Sequence, residues 1–329
     1  MKDTTNFFSF FKVDDVWRLP HIILSSAFIC LFVFCQHFAF AQSDLSKEGV
    51  LVCGNNKVLW VKAKNVKDSV PEIVWYWDAH EANDLPNDEY RNRYFESIDD
   101  CKPSKDGKKI LITSSSSGVA LVDVETKAVD FYAHVPNAHS AEFLPNERIV
   151  VAGSTNKEGN CLEVYDIKSP DKVLFRDSLY SGHGVVWDEK KQVLYALGMD
   201  ELRAYQLQDW ESENPYLKLL EKWKIPGESG HDLQPHPNGK ALLMTEHENV
   251  WLFDKQKKTF QKFDPLKDKS DVKAVNIHPK TKRIAFVKPE ESWWSYHVDF
   301  LNPNQRLAFP GMKVYKVRWT NTAIPSTDN

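Results

Sequence analysis

The sequence has no excess of basic residues. Its 42 Lys and Arg stand against 46 Asp and Glu, a formal charge of −4 over 329 residues. A surface that neutralises phosphates needs a basic patch or stripe, so no nucleic-acid partner is expected. Cysteines are few, five in all, and no CxxC or Cys/His spacing would hold zinc. There is no nucleophile elbow, paired-carboxylate motif, phosphate loop or dinucleotide fingerprint, which leaves hydrolysis without specific support. No 3.6-residue periodicity marks amphipathic helices. Long apolar runs are also missing, apart from one near the start.

That run is Ile22 to Phe34, interrupted by Ser25 and Ser26. Lys2, Lys12 and Arg18 precede it, and the small-x-small pattern Ala39-Phe40-Ala41 follows. Together they read as a signal peptide over residues 1–41. The expected product is a periplasmic or extracellular chain starting near Gln42, with no membrane span after cleavage. An uncleaved anchor is the alternative, although the run is short for a spanning helix. Without Cys30 and Cys35, the cysteines are Cys53, Cys101 and Cys161. An odd number cannot pair fully within one chain. Each lies in or beside an apolar strand pattern, where a free thiol serves as a small buried hydrophobe.

The rest of the chain repeats. A hydrophobic strand recurs at Val50–Cys53, Lys109–Thr113, Arg148–Ala152, Gln192–Ala196, Lys240–Met244 and Arg283–Val287. A second strand follows each one, such as Val119–Asp123, Leu162–Asp166 or Val250–Asp254, and in the last unit Trp293–Asp299. A turn and a third, outer strand come next. One more strand precedes each hydrophobic strand and ends in a turn such as His236-Pro237-Asn238-Gly239. Four strands recurring about every 45 residues match the blade of a propeller. The first unit lacks an innermost strand, and Val314–Trp319 is an alternating strand without a unit of its own. The expected fold is therefore all-β: a six-bladed β-propeller of four-stranded blades over residues 42–329, closed by the C-terminal strand, with 321–329 as a tail. Trp75, Trp77, Trp187, Trp223 and Trp251 are expected in the wedges between blades. A monomer is expected.

Aligning the inner strands by the turns after them puts three histidines in one repeat position. Ser181-Gly182-His183-Gly184 matches Ser229-Gly230-His231-Asp232, and Ala138-His139-Ser140-Ala141 matches both. The same slot holds Lys273 in the sixth unit, Ser97 in the second and Tyr315 in the first. Inner strands converge on the channel mouth, so His139, His183 and His231 can approach one another there. Three readings stay open. They can hold a divalent metal ion as cofactor. They can act with Lys273 and Tyr315 as a Brønsted site. Or they can be blade-packing residues, each hydrogen-bonded to a carboxylate of the neighbouring blade. The upper loops add Arg91 and Arg93 in the long Asp78–Arg93 segment, His247, and the Trp293-Trp294 pair, whose members face opposite sides if they lie on a strand. These five are candidate substrate-binding residues for a glycan or small-molecule ligand.

The motifs His139-Ser140-Ala141-Glu142, Gly182-His183-Gly184-Val185-Val186-Trp187-Asp188, Gly230-His231-Asp232-Leu233, Glu291-Ser292-Trp293-Trp294 and Arg318-Trp319 together resemble an uncharacterised bacterial family of exported six-bladed propellers. More distantly, a propeller with clustered channel histidines is similar to oligogalacturonate lyases and related polysaccharide lyases. This chain lacks the His-Gln metal motif of those enzymes. The resemblance implies a His-lined site at the channel mouth and carbohydrate-active, lyase-type chemistry on an acidic glycan. The second expectation is a non-catalytic propeller that binds a glycan or a protein.

Overall fold

A computed structural model describes residues 49–63 and 69–320. The expected signal peptide (1–41), the expected start at Gln42 and the expected tail (321–329) lie outside the described residues. Among the described residues, no helix is long and apolar enough to cross a membrane.

Twenty-four strands form six four-stranded antiparallel sheets. The first blade holds β1 (Val50–Gly54), β2 (Lys57–Val61) and β3 (Ile73–Asp78), and the second β4 (Ile98–Pro103), β5 (Lys109–Ser114), β6 (Gly118–Asp123) and β7 (Val129–His134). The third is β8 (Ala138–Leu144), β9 (Arg148–Gly153), β10 (Cys161–Asp166) and β11 (Val173–Ser178). The fourth is β12 (Gly184–Asp188), β13 (Val193–Leu197), β14 (Glu201–Gln208) and β15 (Tyr216–Lys224). The fifth is β16 (Asp232–Pro235), β17 (Ala241–Thr245), β18 (Val250–Asp254) and β19 (Thr259–Lys262). The sixth is β20 (Ala274–Ile277), β21 (Ile284–Val287), β22 (His297–Leu301) and β23 (Gln305–Ala308). The last strand, β24 (Val314–Trp319), pairs antiparallel with β1 and completes the first blade. The sequence anticipated this ring and its closure.

A single four-stranded sheet cannot bury two apolar faces, so each blade packs on its neighbours. Six apolar cores result, one in each wedge. Trp75 and Trp77 are buried between blades one and two. Trp187 packs on the core between blades three and four, and Trp223 and Trp251 on the core between blades four and five. Close approach of the inner strands needs glycine at selected points. A Cβ on Gly184 would lie 2.6 Å from Leu233 Cβ, and one on Gly230 would lie 2.6 Å from the Gly198 carbonyl oxygen. Cys53, Cys101 and Cys161 are free thiols, all buried.

Two local readings change. Trp293 and Trp294 are not on the second strand of blade six. They sit in a tight turn before β22, closed by a bridge between Glu291 and Trp294, with Ser292 at φ 50°. The Asp78–Arg93 segment is packed down, not open. Ala82, Leu85 and Tyr90 join the core between blades one and two, and Tyr90 leans edge-on against Tyr132 of β7.

Candidate functional site

The inner strands share an irregularity that builds the site. In β24 the register passes from Cys53↔Lys316 to Gly54↔Val314 and leaves Tyr315 extra. In β4, Ile98↔Ser114 and Asp100↔Thr113 leave Asp99 extra, and in β8, Ala138↔Gly153 and Ser140↔Ala152 leave His139 extra. In the other three blades the equivalent residue stands just ahead of the strand. His183, His231 and Lys273 donate their backbone N–H groups to Leu197, Thr245 and Val287, the same residues that pair with Gly184, Asp232 and Ala274. Two residues thus oppose one, as in a β-bulge, and the extra side chain is turned towards the mouth.

The second blade therefore contributes Asp99 to this ring, not Ser97. The Ser104 N–H bonds Lys109 O as the His236 N–H bonds Ala241 O, and counting back equally from the two turns reaches Asp99 and His231. Pro103 stands one residue before Ser104 and Pro237 one residue after His236, so matching these prolines shifts the count by two residues, from Asp99 to Ser97.

The ring is compact. The His139 and His183 ring centroids are 4.3 Å apart, and those of His183 and His231 are 5.6 Å apart. Tyr315 meets His139 edge-on at 6.0 Å, and Asp99 Oδ2 is 3.8 Å from His139 Nδ1. Lys273 Nζ donates to His231 Nε2 at 2.8 Å and to Asp271 Oδ1 at 2.7 Å. His183 Nδ1 donates to the Ser181 carbonyl at 2.9 Å, which leaves Nε2 as its free nitrogen. The Nδ1 atoms of His139 and His231 are buried without a hydrogen-bond partner.

Burial dominates the protonation states. It lowers His183 to about 4, against the pull of the Ser181 carbonyl and with help from Lys316 and Lys273. Burial, and then Lys273, takes His231 down to about 2. Burial, His183 and Lys316 hold His139 well below its usual range. All three imidazoles are therefore neutral at pH 7. Burial pushes the Asp99 carboxyl up to about 7, against the Ser115 N–H that it accepts and the charge of Lys316. Burial and the carboxylates of Asp99 and Asp232 raise the Tyr315 phenol, which stays protonated.

Below the ring the channel is plugged. Arg318 clamps Asp232 through two N–H groups, at 2.7 and 2.9 Å, and reaches Asp100 Oδ1 at 2.9 Å. Lys316 Nζ lies 3.7 Å from Asp100 and 3.5 Å from Asp232, and donates to the carbonyls of His139 and His183. All four side chains are at most 1% exposed. The mouth is thus a blind cup with an ion-paired floor.

Beside the cup, towards blades one, two and six, lies a cavity of about 420 Å³. Asp99 and Tyr315 of the ring form part of its wall, with Asn55, Asn56, Ser97 and Ser116 as polar lining. Trp293, Trp294 and Lys313 line the same cavity. Trp293 is 54% exposed and stands edge-on to Trp294, whose face carries Lys313 Nζ at 4.5 Å. The other expected binding residues sit elsewhere. Arg91 pairs with Asp88 and Arg93 with Glu89 beside the outer strand of blade two, and neither lines this cavity. His247 is an exposed rim residue, 3.6 Å from Asp271.

His139, His183 and His231 do not together bring three donor atoms within 4.8 Å of one another. Among the described residues, the donor atoms that converge within 4.8 Å belong to His231, His247 and Asp271. Lys273 Nζ already bonds two of those three residues. A divalent ion there would meet an ammonium at contact distance, so the position is held by the chain's own cation.

The sequence reading missed Asp99, Asp100, Asp232, Lys316 and Arg318, as well as Lys313 at the cavity. One signal was available. Lys316 and Arg318 alternate with Val317 and Trp319 on a strand already expected to be innermost, so their shared face must look into the channel.

No curated protein matches this chain. The model of one family of unknown function, DUF6528, matches residues 46–327, and the chain belongs to that family.

Proposed function

We propose that this protein is an exported carbohydrate-active propeller with lyase-type chemistry on an acidic glycan at its upper face. One observation carries the reading: a single cavity joins the exposed Trp293 and the half-buried Trp294 to Asp99 and Tyr315 of the ring. Trp293 offers the flat apolar face on which a sugar ring stacks. The amides of Asn55 and Asn56 and the hydroxyls of Ser97 and Ser116 match its hydroxyl groups. Lys313, in place of the more distant Arg91 and Arg93, is the cation for a uronate carboxylate. Neutral imidazoles are competent bases, and a protonated phenol is a competent acid.

In β-elimination the base takes the proton α to the carboxylate. The released electron pair forms the carbon–carbon double bond, the bond to the leaving oxygen breaks, and that oxygen takes the proton of the acid. Proton transfer from the imidazolium to the phenolate then resets the site. The Lys273 ammonium between His231 and Asp271 supports a reaction that needs no metal.

Purified protein mixed with a panel of oligouronides tests this. The expected result is an ultraviolet-absorbing unsaturated product, formed equally well with a chelator present. Calorimetric binding without product would leave the non-catalytic binding propeller. Neither binding nor product would overturn the carbohydrate reading.

A further inference from the structure

Resting on that reading, we propose that the proton-transfer unit is Asp99, His139 and Tyr315, with Asp99 positioning His139 so that Nε2 is the base. The ring holds three histidines, but the geometry distinguishes them. Asp99 and Tyr315 are the ring members that line the cavity, and both face His139. His183 donates its Nδ1–H to its own Ser181 carbonyl at 2.9 Å. His231 Nε2 is occupied by the Lys273 ammonium and cannot accept a second proton there. His139 has a buried Nδ1 without a hydrogen bond of good geometry, and a buried polar atom left unpaired is costly. The Asp99 carboxylate stands 3.8 Å from that atom, about 1 Å beyond a good hydrogen bond. Catalytic contacts often tighten only when ligand fills the site. Closing this gap puts the proton on Nδ1 and turns the Nε2 lone pair outward, as a carboxylate does when it accepts from one imidazole nitrogen and so fixes the tautomer. The groups facing His139 are Asp99, His183, Tyr315, Lys316 and the Asn137 backbone carbonyl, with His231 behind His183. Of these, Asp99 is the one whose negative charge can raise the basicity of His139.

The test is ¹⁵N-resolved NMR of the histidine side chains in ligand-free protein, for wild type, Asp99→Asn and His183→Ala. The expected wild-type state has Nδ1 protonated and Nε2 free in His139, with a step in its signals as Asp99 ionises between about pH 5 and 9. Asp99→Asn should abolish that step, and His183→Ala should keep it. A His139 protonated on Nε2, or one with the same pH response in wild type and Asp99→Asn, overturns the unit. With an oligouronide that is turned over, Asp99→Asn and Tyr315→Phe should each lower kcat by about a hundredfold or more with little change in KM. Asp99→Glu should restore part of the kcat lost in Asp99→Asn, which a merely structural role would not produce. If wild type turns over no oligouronide yet the NMR step is present, the pairing stands and the lyase reading falls.

Discussion

Replacing Arg318 by Leu should be among the most damaging single changes in this protein. The guanidinium makes three charge-assisted bonds, two to Asp232 and one to Asp100, all under full burial. Removing it leaves two buried carboxylates with the Lys316 ammonium at 3.5 and 3.7 Å and Lys102 farther off. Breaking a buried ion pair from one side costs about 3–5 kcal/mol. For a domain of this size each kcal/mol lowers Tm by roughly 2–4 °C, so the variant should melt about 6–20 °C lower. The pH dependence sharpens the test. Burial alone would raise Asp100, but Arg318, with Lys316 and Lys102, holds its carboxyl below the usual carboxylate range. A depressed folded value gives stability that is fully present above the unfolded value of about 3.9 and is lost only at still lower pH. Wild type therefore keeps this contribution from neutral pH down to about pH 4.5. In the variant the uncompensated carboxylate titrates upward, and its penalty is relieved as pH falls through that raised value. The difference between the two proteins should shrink from about pH 7.5 to about pH 4.5. Urea unfolding at both pH values, followed by tryptophan fluorescence, measures it. A variant that melts within about 2 °C of wild type, or a difference that grows on acidification, refutes the argument.

Truncation before Met312 should abolish soluble folding, because blade one loses its inner strand and the wedge with blade six loses Val314, Val317 and Trp319; a truncated chain that melts like the full one refutes closure by β24. Trp293→Ala should weaken oligouronide binding at least fivefold while moving Tm by less than about 2 °C, since the side chain is 54% exposed. Calorimetry and melting on the same sample decide that. Lys273→Met should gain affinity for zinc or nickel, because it frees the converging donors of His231, His247 and Asp271; equal metal content in wild type and variant would refute the view that the ammonium holds that position. Protein from its native envelope should begin at or near Gln42 by mass spectrometry; an intact N-terminus in the membrane fraction would favour an anchor.

The blades were legible because a strand announces itself locally. Alternation in Val250–Asp254, or the turn at His236–Gly239, needs no knowledge of what the strand will pair with. The orphan alternation of Val314–Trp319 even gave the closure. The site was only half legible. Repeat alignment finds a slot filled by the same residue type, so it found His139, His183 and His231. It failed at Asp99, where a different residue fills the slot and the prolines Pro103 and Pro237, two steps apart in the turn, mislead the count. It also read Trp293-Trp294 as strand from its aromatics, where a backbone turn at Ser292 governs. Arg91 and Arg93 read as binding residues because charge dominates that segment, while three apolar side chains, Ala82, Leu85 and Tyr90, decide where it lies.

The floor of the cup was the hardest part to see, and its origin explains why. Arg318 meets Asp100 across 218 residues and Asp232 across 86, contacts that exist only once the ring has closed. β24 supplies three things at once. Val317 and Trp319 on one face fill the wedge with blade six, Lys316 and Arg318 on the other neutralise two buried carboxylates, and the bulge residue Tyr315 enters the ring and the cavity wall. Apolar burial holds the strand in place, and the ion pairs fix its register, because a one-residue slip would carry both cations into the wedge and Trp319 into the channel. The same register sets Tyr315 opposite His139. β24 therefore both completes the first blade and assembles the candidate site, and in a partly closed ring the histidines would have neither floor nor facing phenol.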